Sequence, residues 1–128
     1  MESSRKRNAA FTLVELLVVL AIVALLLTIG VPRYFRHVEV SREQVLRANL
    51  AVLRHVLDKY YEDHGVYPDN LDVLVEKRYM RSVPLDPLTG KRDTWVIVAP
   101  DDPAKGGVLD LHSGAAGAGL DGSEYAQW

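Results

Sequence analysis

The chain has 128 residues, of which 48% are hydrophobic and 25% charged, with a formal net charge of −2 and no cysteine. That length suits one compact domain plus a separate apolar segment, and the near-balanced charge argues against a broad basic surface for nucleic acid. The lack of cysteine excludes disulfides, thiolate metal sites, thiol catalysis and a cysteine-linked lipid anchor.

Residues 1–10, MESSRKRNAA, are polar and basic, with Arg5, Lys6 and Arg7 in a row. From Phe11 to Val31 the chain reads FTLVELLVVLAIVALLLTIGV, in which Glu15 is the only formal charge. As a helix, this run reaches about 30 Å, the thickness of a bilayer's hydrocarbon core. It is longer than the apolar part of a secretory signal, about 7–15 residues, and no convincing small-x-small cleavage site follows it before Pro32. A carboxylate inside such a segment costs about 3 kcal/mol on insertion scales, so Glu15 calls for a partner or a role. Either it snorkels to the headgroups, or a positive charge meets it. Basic residues flank both ends, with Arg33, Arg36 and Arg42 beyond the run, so the positive-inside rule does not orient it.

Gly30 and Pro32 close the apolar run. Pro32 has no N–H for the carbonyl of Thr28, which predicts a kink or local melting near residues 28–32. Two readings remain, a segment able to unwind and a static bend. From Tyr34 to about His64 the pattern is an amphipathic helix. Leu46, Leu50, Leu53, Leu57 and Tyr60 recur at steps of four and three, and Val38, Val45, Val52 and Val56 are expected to widen that face. Gly65 is the expected stop.

The stretch GVYPDNLDVLVEKRYM (65–80) predicts a turn and a short helix capped by Asp69 or Asn70, with Leu71, Leu74 and Val75 as its apolar edge. SVPLDPLTGKRDTW (82–95) predicts a turn-rich loop, in which Asp86 serves capping or turn bonding. WVIVA (95–99) and VLDLH (108–112) predict two strands of an antiparallel hairpin, joined through a turn over 101–107. The last stretch, SGAAGAGLDGSEYAQW (113–128), is glycine-rich, and Tyr125 and Trp128 are expected to pack back onto the sheet. Its glycines do not form a dinucleotide loop, because no βαβ unit follows. His37, His55, His64 and His112 show no metal spacing. There is no nucleophile elbow, phosphate loop or HExxH, and Glu62-Asp63 and Asp101-Asp102 read as solvated pairs. No catalytic or metal residue is assigned, and little room is expected for a pocket beyond the core.

A basic leader, a small residue, F-T-L-x-E and about 20 apolar residues together resemble the class III signal of type IV pilins and type II secretion pseudopilins. G-x-Y-P before a short Leu-rich helix, V-P-x-D-P-x-T-G-K, and G-x-x-D-x-H-S-G-x-x-G-x-x-L-D-G-x-x-Y-x-x-W further resemble the pseudopilin-G-like branch. The resemblance implies an α+β, type IV pilin-like fold: a long N-terminal helix packed on a small antiparallel sheet, with a short helix between. It implies a cleaved leader over 1–10, a transmembrane or filament-core helix over 11–32, and a soluble periplasmic domain over 33–128. Prepilin peptidase would cut between Ala10 and Phe11, where the family usually has Gly in place of Ala10, and Phe11 would become the methylated N-terminus. Glu15 would serve subunit assembly, pairing with the Phe11 amine of a neighbour, and Pro32 would weaken the helix.

The implied product is a non-enzymatic subunit of a type II secretion pseudopilus that drives protein export. Its location would be the bacterial inner membrane, single-pass, with a cytoplasmic N-terminus. The implied partners are further copies in a helical filament, prepilin peptidase, minor pseudopilins, and an inner-membrane platform with its ATPase, but no nucleic acid. The alternatives are a type IV pilus subunit for adhesion, motility or DNA uptake, and a membrane-anchored module that never polymerises; a mere anchor needs neither Phe11 nor Glu15. The family resemblance also raises calcium at the C-terminal loop near Asp121, with Asp110 and Glu124 close in sequence. Ala115 and Ala116 stand where an aspartate is expected, which leaves a metal-free glycine loop as the other reading.

Overall fold

The computed structural model describes residues 10–128, so Arg5, Lys6 and Arg7 of the basic leader lie outside the described residues. The element order is α1 (Leu13–His64), α2 (Leu71–Glu76), β1 (Val96–Val98) and β2 (Asp110–His112), with single 3-10 turns at Pro103–Lys105 and Tyr125–Gln127. This is the expected α+β order. The chain divides into two compact units, Met1–His37 and Val38–Trp128.

In the first unit the helix is exposed along its apolar length, from Leu13, 75% exposed, to Phe35, 61% exposed. No part of the most apolar window is buried, and α1 is long and apolar enough there to cross a membrane. A surface of this kind needs lipid or protein cover, because contiguous apolar area of this size is not stable in water. The break expected at Pro32 does not interrupt α1, which is helical through it. A single proline removes one hydrogen bond of the ladder, and the turns on either side keep theirs. One turn below, the Thr28 hydroxyl donates to the Leu25 carbonyl at 2.6 Å.

In the second unit α1 supplies the core. Leu46, Leu50, Leu53, Val56, Leu57 and Tyr60 are buried against Leu74 of α2, Trp95, Val108 and Leu111. Each fully buried leucine contributes roughly 1.5–3 kcal/mol of transfer free energy. Val45 and Val52 do not widen the face as expected; they are 46% and 56% exposed. Successive helical residues turn by about 100°, which carries both valines past the edge of the leucine stripe.

α1 ends as expected at His64. Gly65 adopts a left-handed φ of 71°, and its N–H donates to the Tyr61 carbonyl at 2.8 Å. Asn70, the second of the two candidates, caps α2 by accepting from the Val73 N–H at 3.1 Å. α2 closes in a Schellman arrangement in which the Tyr79 N–H reaches the Leu74 carbonyl and the Arg78 N–H reaches Val75. The left-handed position, usually glycine, is held by Arg78 with φ 62°.

β1 and β2 are antiparallel, with Ile97 opposite Leu111. Both are shorter than expected, and Trp95 and Val108 are buried core residues just outside them. The reason is competition for backbone groups. The N–H groups of Gly107 and Val108 donate to the Pro68 carbonyl, and Tyr67 N–H donates to Lys105. This crossing brings the Gly106-Gly107 backbone against Tyr67 and Asp69 so closely that a Cβ at either glycine would meet a carbonyl oxygen. Asp86 is fully buried in the loop before Trp95. Its Oδ1 accepts from Leu88 N–H at 2.9 Å, and its Oδ2 accepts from the Ser113 hydroxyl at 2.5 Å. The turn bonding expected of Asp86 is present, and the link to Ser113 extends it across the domain.

Candidate functional site

The sequence places its functional residues at the head of α1, and there the local geometry is specific. Ala10 and Phe11 precede the helix, and Phe11 is 82% exposed. Thr12 is followed by the first helical residue, Leu13, and its carbonyl accepts from Leu16 N–H at 3.1 Å. The Glu15 N–H donates to Thr12 Oγ1 at 3.1 Å, and the Thr12 N–H donates to Glu15 Oε2 at 3.2 Å. The two residues form a capping box, in which each side chain satisfies the other's otherwise unpaired backbone donor.

In a lipid environment an unpaired N–H costs several kcal/mol, so the box stabilises the helix head where water is scarce. Its negative end also lies at the positive end of the helix dipole. The motif sits openly in F-T-L-V-E as Thr-x-x-Glu, the usual sign of such a box. Sequence reasoning missed it by weighing Glu15 only as a charge that snorkels to the headgroups or meets a positive partner. Phe11 adjoins Thr12, whose N–H Glu15 binds.

Charged groups also converge between α1 and the C-terminal stretch. Arg54 Nε donates to Asp110 Oδ1 at 2.9 Å; its Nη2 donates to the Leu111 carbonyl at 3.2 Å and also to the Trp128 carbonyl. Arg47 Nη2 lies 3.3 Å from Asp121 Oδ2, and its guanidinium stacks 3.9 Å over the Trp128 ring. Glu43 Oε1 accepts from Leu120 N–H at 2.8 Å and from the Tyr125 hydroxyl at 3.1 Å. Tyr125 and Trp128 pack against the core, as expected.

Partial burial works to raise the Asp110 pKa, but the Arg54 hydrogen bond, the Leu111 N–H and the nearby positive charge outweigh it and hold the carboxyl below its usual range. The hydroxyl and N–H of Ser123 lower the Asp121 pKa, and Arg47 adds to this. Burial first, then the hydrogen bond to Glu43, raises that of the Tyr125 phenol.

Contrary to the small-pocket expectation, an open cleft of about 720 Å³ lies beside α2, walled by Leu71, Val75, Trp95 and Ile97. Its charged rim mixes Asp72, Glu76 and Asp93 with Arg81 and Arg92.

Residues 5–31 match the family of the prokaryotic N-terminal methylation motif. The chain is 32% identical over 80 residues to the competence protein ComGC of Halalkalibacterium halodurans, covering 62% of this chain and 78% of that protein. It is 26% identical over 136 residues to the type II secretion system core protein G of Pseudomonas aeruginosa, covering 94% and 89%. Against core protein G of Vibrio cholerae it is 27% identical over 144 residues, covering 100% and 96%. No solved structure matches the chain. A capped, exposed apolar helix within a methylation motif and a small α+β domain define a type IV pilin-like subunit. The chain belongs to the type IV pilin-like family, as a pseudopilin-G-like member.

Proposed function

We propose that this protein is a structural subunit of the type II secretion pseudopilus, cleaved by a prepilin peptidase and polymerised to drive protein export. The observation that carries the reading is the methylation motif over residues 5–31, set directly on an exposed apolar helix with a carboxylate in its first turn. Cleavage falls between Ala10 and Phe11, and the new Phe11 amine is methylated. Before assembly residues 11–32 hold the chain in the inner membrane, N-terminus cytoplasmic and residues 33–128 periplasmic. In the filament the same segments become the core, where protein replaces lipid as their cover.

Glu15 then meets the Phe11 amine of a neighbouring subunit. Burying the two together leaves no lone charge, whereas removing either leaves the other uncompensated. The homopolymer is served by minor pseudopilins and by an inner-membrane platform with its ATPase. The work of the subunit is assembly, not catalysis.

The test expresses the full chain with and without a prepilin peptidase and reads its mass and sheared-filament yield. A mature chain beginning at Phe11 with one added methyl group is expected only with the peptidase. Glu15→Ala is expected to be cleaved but not to assemble; normal filaments from that variant would remove the pairing role. A second reading, a type IV pilus subunit for DNA uptake, is favoured by the similarity to a competence protein. Deleting the gene and measuring both exoprotein release and transformation separates the two.

A further inference from the structure

The C-terminal stretch is the place where the family resemblance raises a calcium ion, and the donor set found there does not suit one. A calcium ion takes 6–8 oxygen ligands, mostly carboxylate and carbonyl oxygens with free lone pairs. Asp121 Oδ1 already accepts from both the N–H and the hydroxyl of Ser123, at 3.0 and 2.6 Å, and its Oδ2 faces Arg47. Asp110 Oδ1 accepts from Arg54 and from Leu111 N–H. Among the described residues, no group of three or more acidic or histidine side chains is placed to hold a metal.

We propose that Arg47 and Arg54 do the work of a cation here, so that the C-terminal stretch is closed onto α1 by guanidinium groups and needs no metal ion. Arg54 gathers one carboxylate oxygen and two main-chain carbonyls, from Asp110, Leu111 and Trp128. These are the ligand types a hard cation takes, collected instead by a planar fork of N–H donors. The fork projects from α1, so a single side chain joins the helix, β2 and residue 128. Arg47, seven residues earlier and thus on the same face, covers the Trp128 ring and neutralises Asp121.

The remaining contacts fit a loop shaped by side chains. Trp128 Nε1 donates to Ser123 Oγ at 2.7 Å, and the ring lies against Gly119 so tightly that a Cβ there would strike it at 2.4 Å. Glu43 completes the closure by accepting from Leu120 N–H and Tyr125. The helix thus offers Glu43, Arg47 and Arg54 along one line, matched to Leu120 and Tyr125, Asp121, and Asp110.

The experiment follows amide hydrogen exchange at Gly119–Gln127 and thermal unfolding of the full chain in detergent, in excess calcium chloride and in excess chelator. The unsubstituted chain is expected to show the same protection and Tm in both. Arg54→Met and Arg47→Met are expected to lose protection at Gly119–Gln127 at least tenfold, whether calcium is present or not. A Tm that rises with calcium, or protection that collapses in chelator, overturns the proposal. So does unchanged protection in both arginine variants. Should Arg54→Met fail to fold, the calcium response of the unsubstituted chain and the Arg47→Met variant still decide. The outcome is independent of the filament reading, since neither measurement requires assembly.

Discussion

Thr12 and Glu15 are mutual hydrogen-bond partners across the first turn of α1. The carboxylate therefore has a use within its own subunit before any neighbour arrives. The capping role and the proposed assembly role of this side chain are separated by different substitutions. Thr12→Val removes the hydroxyl and leaves the charge, so it is expected to weaken the helix head by about 1 kcal/mol while leaving Glu15 available for the proposed pairing. Thr12→Ser is expected to behave as the unsubstituted chain. The check is filament yield beside hydrogen exchange at the Glu15 N–H. Loss of filaments in Thr12→Val equal to that of Glu15→Ala would mean that the box itself is the assembly element.

Asp86 and Ser113 carry a second expectation. Both are buried, and the carboxylate serves Leu88 N–H and the Ser113 hydroxyl at once. Asp86→Ala would strand the Leu88 N–H and the Ser113 hydroxyl, at a cost of roughly 2–4 kcal/mol, whereas Ser113→Ala removes the donor to Asp86 and the acceptor of the Ala115 N–H, at a cost of about 1–3 kcal/mol. Denaturant unfolding of the full chain in detergent reads both values. A loss in Asp86→Ala below about 1 kcal/mol would show that the Leu88 turn does not depend on the carboxylate.

The parts of this fold that were legible in the sequence are those set by local repetition. The leucine steps from Leu46 to Tyr60 placed the buried face of α1, Gly65 placed its end, and Asn70 was one of two candidate caps. The edges of that pattern were not legible: Val45 and Val52 differ from buried Val56 by a small rotation about the helix, which only the position of α2 and the sheet decides. The strands shortened for a similar reason, because Pro68 takes the N–H groups that a longer β2 would need.

In the candidate site the N-terminal methylation motif was legible from F-T-L-x-E and the apolar run. Arg54 with Asp110, Glu43 with Tyr125, and Asp86 with Ser113 were not, since each pair joins distant segments and no spacing rule links them. The Arg78 conformation was hidden because the residue there carries no sign of it.

Arg78 is the place where one substitution should stabilise the chain. A left-handed φ costs a non-glycine residue roughly 1–2 kcal/mol, against the 0.4–1 kcal/mol that glycine loses by freeing the unfolded chain. Arg78→Gly is therefore expected to gain up to about 1 kcal/mol, and Arg78→Val to lose more than that. Thermal melts of the two variants give the answer, and a Tm for Arg78→Gly below that of the unsubstituted chain would refute the strain at this turn.

The Tyr79 hydroxyl donates to Asp63 Oδ2 at 2.6 Å, and its ring meets Tyr60 edge-on at 5.3 Å. The hydrogen bond to Asp63, then loss of solvent and the charge of Asp63, push the Tyr79 pKa from 10.0 up to about 12. In the unfolded chain a tyrosine titrates near 10, so between the two values the folded chain holds a proton that the unfolded chain has lost. The contribution to stability is whole below about pH 10 and disappears as the pH rises through about 12. Asp63→Asn leaves an acceptor but removes the charge, and is expected to bring the Tyr79 titration back toward 10. Tyr79→Phe should erase this part of the alkaline loss altogether. Ultraviolet titration of tyrosinate, taken as the difference between the unsubstituted chain and Tyr79→Phe, isolates the one phenol. A difference curve centred near 10, with Asp63 intact, would show that the contact does not hold in solution.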